Sequence, residues 1–194
     1  MIRRLLALKW RLLPLLAAAI ILCIPLAENA WSHRQISQAA QAAQLKLAAV
    51  PKTAKLQGAP NRILIPSLNI DLPVVSQSYS PALKSWPVSA STANYATETA
   101  LINNFHGQSL IYGHDTRSVF EPLLGLKANA IVYVYTANGH VFKYTYSGAQ
   151  DVSPRQTDIV ADMAKQPAGL NLITCDGAYF QYRHVMNFKL VKAV

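Results

Sequence analysis

A cysteine, a histidine and an arginine stand in this sequence at positions that suit attack on an amide. Cys175 closes the β-prone run Leu170-Asn171-Leu172-Ile173-Thr174-Cys175, and Arg183 stands eight positions later, where another β-rich run begins. His114 lies 61 positions upstream of the cysteine, directly after the apolar run Ser109–Gly113. Pairing of the two later runs as a hairpin would set Cys175 and Arg183 opposite each other, within reach of one small group. The chemistry needs all three types. A thiolate attacks the carbonyl, an imidazole protonates the departing amine, and the oxyanion formed in between requires a positive charge or aligned donors. Arginine suits the last task because it keeps its proton and its planar fork holds an oxygen in a fixed direction.

Other readings of the same residues stand beside this one. By position alone, Cys175 serves equally as a buried core thiol, a common fate of free cysteine. Arg183 has the alternative of a surface ion pair with Asp176 or Glu121, and His114 that of a strand-end side chain bonded to backbone. Asp115 invites a Cys-His-Asp triad, but adjacent residues on an extended chain point apart, so it reads better as a turn former. Of the remaining histidines, His140 belongs to a hairpin and His184 points to the face opposite Arg183. His106 is the serious rival for the imidazole role. A zinc site from Cys175, His184 and His114 lacks the paired spacing of ligand motifs, and Asp151, Asp158 and Asp162 are too scattered for a calcium site.

The elements that must position these side chains are mostly strands. Ile63–Ile65 is an apolar run, and after Pro66 the residues Leu68, Ile70 and Leu72 alternate with polar ones, the period of a half-buried strand. Ile131–Thr136 and Val141–Tyr146 flank Asn138-Gly139, which supplies the positive backbone angles of a tight hairpin. The tyrosines at 133, 135, 144 and 146 alternate along it, as barrel packing or an outer face would require. Val119–Lys127 predicts one or two helical turns, Asp158–Lys165 another, and Leu170–Cys175 and Arg183–Val191 the last two strands. Ser80–Phe105 shows no pattern. Many short strands with little helix predict an antiparallel closed sheet or sandwich.

The chain has 194 residues, 52% of them hydrophobic, with a formal net charge of +9. Residues 1–57 hold eight cations and one anion, whereas the remainder holds 10 cations and eight anions. The basic balance therefore belongs to the N-terminal part, no basic stripe remains for phosphate contacts, and nucleic acid is excluded as a partner. Arg3, Arg4, Lys9 and Arg11 precede an apolar run from Leu12 to Ala27, the order of a signal segment or an uncleaved anchor, which places the rest of the chain outside the cytoplasm. Pro25 and Glu28 spoil the candidate cleavage sites, which favours a transmembrane anchor. Cys23 lies in that run, which leaves Cys175 alone beyond it, unable to close a disulfide within the exported part. Gln35–Ala49 is built of strong helix formers and ends before Pro51, predicting a helical stalk, or a flexible spacer, that lifts a domain off the membrane. The expected division is an anchor at 1–30, a stalk and linker at 31–60 and one domain at 61–194.

Arg62-Ile63-Leu64-Ile65-Pro66, Leu110-Ile111-Tyr112-Gly113-His114 and Leu172-Ile173-Thr174-Cys175 followed by Arg183 resemble, in this order, the sortase family of cell-surface transpeptidases. Val119–Leu124 after the histidine fits the same pattern, and the resemblance covers about residues 61–194. It implies a mainly all-β fold, an eight-stranded β-barrel with short helices. It also implies His114, Cys175 and Arg183 as the catalytic set, with Thr174 helping to orient substrate. The implied reaction is cleavage of a Leu-Pro-any-Thr-Gly-like sorting signal on surface proteins through a thioester. The protein would pass to an amine of the cell wall or a pilin, without metal or organic cofactor. The chain departs from the pattern in a short Cys175-to-Arg183 connection and in Leu126-Lys127-Ala128-Asn129, where many members carry a Gly-Asp turn. A catalytically silent barrel that binds peptide or scaffolds assembly is the alternative. A peptidoglycan cross-linking enzyme of the L,D type would need a Ser-His-Gly-Cys pattern, and Ile173-Thr174 precede this cysteine instead.

Overall fold

A computed structural model describes residues 28–48, 54–82, 85–154, 156, 158–176 and 181–194. The apolar run at 12–27, with its expected transmembrane helix and Cys23, lies outside the described residues. Among the described residues no helix is long and apolar enough to cross a membrane.

The strands, in chain order, are β1 (Gln57–Gly58), β2 (Pro60–Ile65), β3 (Ile70–Gln77), β4 (Ala93–Ala96), β5 (Ile102–Asn103), β6 (Gln108–Tyr112), β7 (Ile131–Thr136), β8 (Val141–Val152), β9 (Gly169–Asp176) and β10 (Tyr182–Ala193). Eight of them close a barrel in the order β10-β8-β7-β2-β3-β4-β6-β9, and β1 pairs with β5 at its flank. Closure leaves no unpaired strand edge. The sheet is antiparallel except at β3–β4 and β6–β9, which run parallel. Two short 3-10 helices (Pro66–Leu68, Glu121–Gly125) and two α-helices, α1 (28–48) and α2 (Asp158–Met163), complete the fold. The expected eight-stranded barrel is therefore observed, and the stretch from Ser80 to Phe105 that lacks a pattern supplies β4 and β5.

Alternation along the strands fills the barrel with apolar side chains. Ile63, Ile65, Ile111, Phe142, Tyr144, Leu170, Leu172, Met186 and Phe188 belong to one buried cluster. Residues between them, such as Leu110, Tyr112 and Ile173, form a separate cluster with Met163 of α2 on the outer face. The β7–β8 connection differs in detail from the tight hairpin expected from Asn138-Gly139. Among its residues only Gly139 takes a positive φ, of 87°. Gly139 N donates to Thr136 O at 2.9 Å and Thr136 N to His140 O at 3.0 Å, so a four-residue connection is closed by one left-handed glycine.

The segment expected to be a stalk is helical but does not stand free. Ile36, Ala40, Ala43 and Leu47 recur on one helix face, and all four are buried in a cluster with Leu64, Tyr133, Val141 and Val194 of the barrel wall. Gln44 donates to the Tyr133 hydroxyl at 3.0 Å, and Asn69 donates to Ser32 Oγ at 3.2 Å. A helix rich in alanine is marginal alone, and this apolar stripe stabilises it by packing. Residues 28–48 are consequently packed on the barrel wall. Leu47→Ala is expected to cost about 2–5 kcal/mol and to lower the thermal midpoint. A free stalk would leave that midpoint unchanged.

Candidate active site

Strand register builds the site. In the antiparallel β9–β10 pair, Cys175 lies opposite Arg183 and Ile173 opposite Val185. On the other side of β9, the parallel pairing with β6 sets Tyr112 beside Ile173. The ladder continues one step, because Gly113 N donates to Ile173 O at 3.1 Å. Counting two residues on from Tyr112 and from Ile173 brings His114 level with Cys175. His114, just past the end of β6, thus stands on one side of Cys175 and Arg183 of β10 on the other, the strands lying about 4.8 Å apart. The same alternation that sends Leu172 inward sends Ile173, Cys175 and Arg183 outward.

His114 is exposed, and Cys175 and Arg183 are partly exposed. All three line one groove of about 460 Å³. A second depression of about 510 Å³ lies between α1 and residues 125–133, but no cysteine, histidine or arginine lines it. The chemistry therefore belongs to the first.

Thr174 lies beside the cysteine, yet its side chain turns the other way. The residue is 1% exposed, and its hydroxyl donates to Gly113 O at 3.5 Å. It ties the cysteine strand to the histidine strand from beneath, and the residue also lines the groove beside Cys175. Gly113 itself sits where a larger residue has no room. A Cβ there would lie 2.8 Å from both the Phe120 ring and a Val119 methyl, two fully buried side chains. Phe120 N in turn donates to His114 O at 3.0 Å, fixing the turn that carries the imidazole.

The other histidines fall away on geometry. His106 precedes β6 whereas His114 follows it, about 17 Å along the strand. His140 lies in the β7–β8 connection, at the opposite end of β8 from Val152, the residue that pairs with Arg183. His184 pairs with Thr174 and not Cys175, and its Nδ1 lies 2.6 Å from Asp151 Oδ1. Asp115 falls in a bend immediately after His114. Among the described residues no three metal-ligating side chains gather.

The walls of the groove were not legible in the sequence. Its floor is Leu110 and Tyr112 of β6 with Ile173 of β9, one wall is Ile159 and Val160 of α2, and the facing wall is Tyr79, Trp86 and Val88 from the β3–β4 connection. Glu98 organises that connection. Its carboxylate accepts the Trp86 indole N–H at 2.8 Å and the Tyr79 backbone N–H at 2.7 Å. Burial alone would raise the Glu98 carboxyl, but the hydrogen bonds from Trp86, Tyr79 and Thr97 outweigh it and hold the group below the usual carboxylate range. Burial, reinforced by the Glu98 charge, pushes the Tyr112 phenol up, so it stays protonated and donates to Pro87 O at 2.7 Å.

The fold and these side chains define a β-barrel with a cysteine, histidine and arginine site suited to acyl transfer. Residues 63–191 match the sortase domain family, and the chain belongs to it. Members of that family are cysteine transpeptidases. Among solved structures, sortase A of Listeria monocytogenes is 22% identical, with 70% of this chain and 89% of that one covered and a TM-score of 0.56. Sortase E1 of Streptomyces coelicolor, solved with a tripeptide in its active site, is 19% identical over 70% of this chain and 90% of that one, with a TM-score of 0.57. Sortase C-1 of Actinomyces oris is 21% identical over 80% and 98%, with a TM-score of 0.51. At these identities the likeness is one of fold. Comparison with curated protein sequences gives no match.

Two outcomes are expected. Gly113→Ala, which forces Phe120 and Val119 apart, destabilises the domain by about 1–3 kcal/mol and lowers turnover more than Thr174→Val does. For Glu98 the folded carboxyl is depressed relative to the unfolded chain, so its contribution to stability is present above the unfolded value near 4.3 and is lost as pH falls through the folded one. Chemical denaturation between pH 6 and about 3 should therefore show an acid-side loss of stability that Glu98→Gln reduces.

Proposed function

We propose that this protein is a transpeptidase in which Cys175 is the nucleophile, His114 the general acid and base, and Arg183 the group that holds the substrate carbonyl and its oxyanion. The observation that carries the reading is the placement of His114, Cys175 and Arg183 at one open groove. Cys175 gives its thiol proton to His114 and its Sγ attacks the carbonyl carbon of a scissile peptide bond; the carbonyl electrons move onto oxygen, where the guanidinium opposes the developing charge. Collapse expels the amine, which takes a proton from His114 and leaves a thioester on the sulfur. An incoming amine then attacks the thioester and gives a proton to the imidazole, which passes it to the departing sulfur, releasing the joined product and the thiol. Water in place of that amine yields hydrolysis.

The substrates proposed are surface proteins carrying a Leu-Pro-any-Thr-Gly-like sorting signal, and the acceptor an amine of the cell wall or of a pilin. The groove supports a peptide ligand, since it contains the cysteine and Leu110, Ile159, Val160, Ile173, Val88 and Trp86 give it an apolar lining. The tripeptide in the active site of the Streptomyces coelicolor enzyme is consistent with this. We also place the domain outside the cytoplasm, tethered by the apolar run at 12–27, whose preceding cations favour that orientation. The scaffold reading has no comparable support, because the three chemically necessary side chains are present and outward-facing.

The test uses residues 28–194 with a library of Leu-Pro-any-Thr-Gly-like peptides and a small amine, with products identified by mass spectrometry. The parent joins amine to peptide, and Cys175→Ala joins none. Arg183→Lys, which keeps the charge but loses the fork, lowers kcat by about 10²–10³-fold. A chain that binds peptide with unchanged affinity in all variants and forms no product in any is a scaffold. For the tether, the full chain should sediment with phospholipid vesicles and residues 28–194 should stay in solution.

A further inference from the structure

The slot leading away from Cys175 has one wall that is built differently from the rest. Its floor and its α2 wall belong to regular elements, but Trp86 comes from the irregular β3–β4 connection. That residue is nonetheless well fixed. Its ring meets Tyr79 edge-on with centroids 5.0 Å apart and tilts toward Tyr112 at 6.4 Å. Its indole N–H is held by Glu98 at 2.8 Å, and the same carboxylate holds Tyr79 N at 2.7 Å. Glu98 stands two residues after the end of β4, and Ser78 and Thr97 hydroxyls meet 2.9 Å apart beside it, so the wall is braced against the barrel. The next residue, Pro87, accepts the Tyr112 hydroxyl at 2.7 Å, which ties the wall to the floor.

Trp86 packs on the same outer cluster as Ile159, Val160 and Ile173. Indole and the two aliphatic side chains of α2 therefore bound one slot over Tyr112 and Ile173. Among the described residues lining the groove, Arg183 and His114 are the only basic side chains, and none is acidic. A charged substrate side chain over Tyr112 would lose hydration without gaining a partner, so the slot takes an apolar one. Ile173 is two residues from Cys175, about 7 Å along the strand, and an extended peptide advances about 3.3 Å per residue. The side chain lodged there belongs to a position about two residues from the scissile carbonyl.

We infer that Trp86 is a specificity-determining residue that sets the width of this slot, and that Glu98 is the positioning residue that holds the indole in place. The inference rests on the transpeptidase reading and adds to it which side chain limits what the enzyme accepts. The indole touches substrate without taking part in bond making. Its loss should change selection among apolar side chains at one peptide position while leaving the thiol as reactive as before.

The experiment compares the parent with Trp86→Ala, Glu98→Ala and Glu98→Gln on peptides randomised one position at a time on both sides of the scissile bond. Reaction of Cys175 with a small methanethiosulfonate reagent serves as the control. In Trp86→Ala, the ratio of kcat/KM for an aromatic to that for an aliphatic side chain should rise by about tenfold or more. The rise should occur at one position only, with the thiol control unchanged. Glu98→Ala should shift the same ratio in the same direction by a smaller factor, and Glu98→Gln, whose one amide oxygen can accept the indole N–H only by giving up the bond from Tyr79 N, should shift it less than Glu98→Ala does. A parent that processes peptides but whose Trp86→Ala variant keeps the same selectivity overturns this inference alone. A parent that joins no peptide to any amine overturns the transpeptidase reading and this inference with it.

Discussion

The position of β9 between β6 and β10 is the constraint on which the site depends. β6 runs parallel to it and β10 antiparallel, so the end of one, the end of the second and the start of the third meet at one rim of the barrel. A slip of one residue in either pairing would turn a required side chain to the opposite face. That register is held from within by Leu170, Leu172, Met186 and Phe188, which lose their burial if it shifts. It is held at the rim by Gly113, whose N–H continues the ladder and whose missing side chain lets Val119 and Phe120 close over it. Hydrophobic patterning therefore fixes where these side chains stand. The three polar residues make only one short-range demand of their own, that they fall on outward positions.

A barrel suits this arrangement because it has two chemically distinct faces along every strand. The inward face supplies stability and the outward face supplies the groove, so Thr174 and Cys175, neighbours in sequence, have separate tasks. The threonine is buried against Gly113 O and links two strands, whereas the cysteine stands at the groove. His184 and Arg183 divide in the same way, the imidazole toward Asp151 and the guanidinium toward the groove. Cys175 and Arg183 sit on strands and inherit the rigidity of the sheet, while His114 is carried by the turn that follows β6.

The positions of the cysteine, histidine and arginine were legible because strand endings leave a strong mark. Leu-Ile-Tyr-Gly-His and Leu-Ile-Thr-Cys are apolar runs that stop at a polar, reactive residue, and eight residues from cysteine to arginine is a hairpin's length. The groove walls were not legible. Trp86 and Glu98 lie 12 positions apart in a segment of Ser, Ala, Thr and Asn with no period, and only the fold reveals that one bonds the other. The helix at 28–48 was legible as a helix from its composition, but its docking was not. Alanines such as Ala40 and Ala43 make a stripe too weakly apolar to announce a partner, and the partner, around Leu64 and Tyr133, is distant in sequence. The β7–β8 turn shows a subtler limit: Asn-Gly marked the connection correctly, while the backbone solution used only the glycine's left-handed freedom.

The most direct measurement of the central claim is the identity of the covalent intermediate. Residues 28–194 are mixed with a processed peptide, quenched in acid within the first turnover, digested and sequenced by tandem mass spectrometry. The account predicts the acyl part of the peptide on Cys175, labile to hydroxylamine, with its amount raised when the acceptor amine is withheld. Product formation without any such adduct, or an adduct on a different side chain, would contradict it.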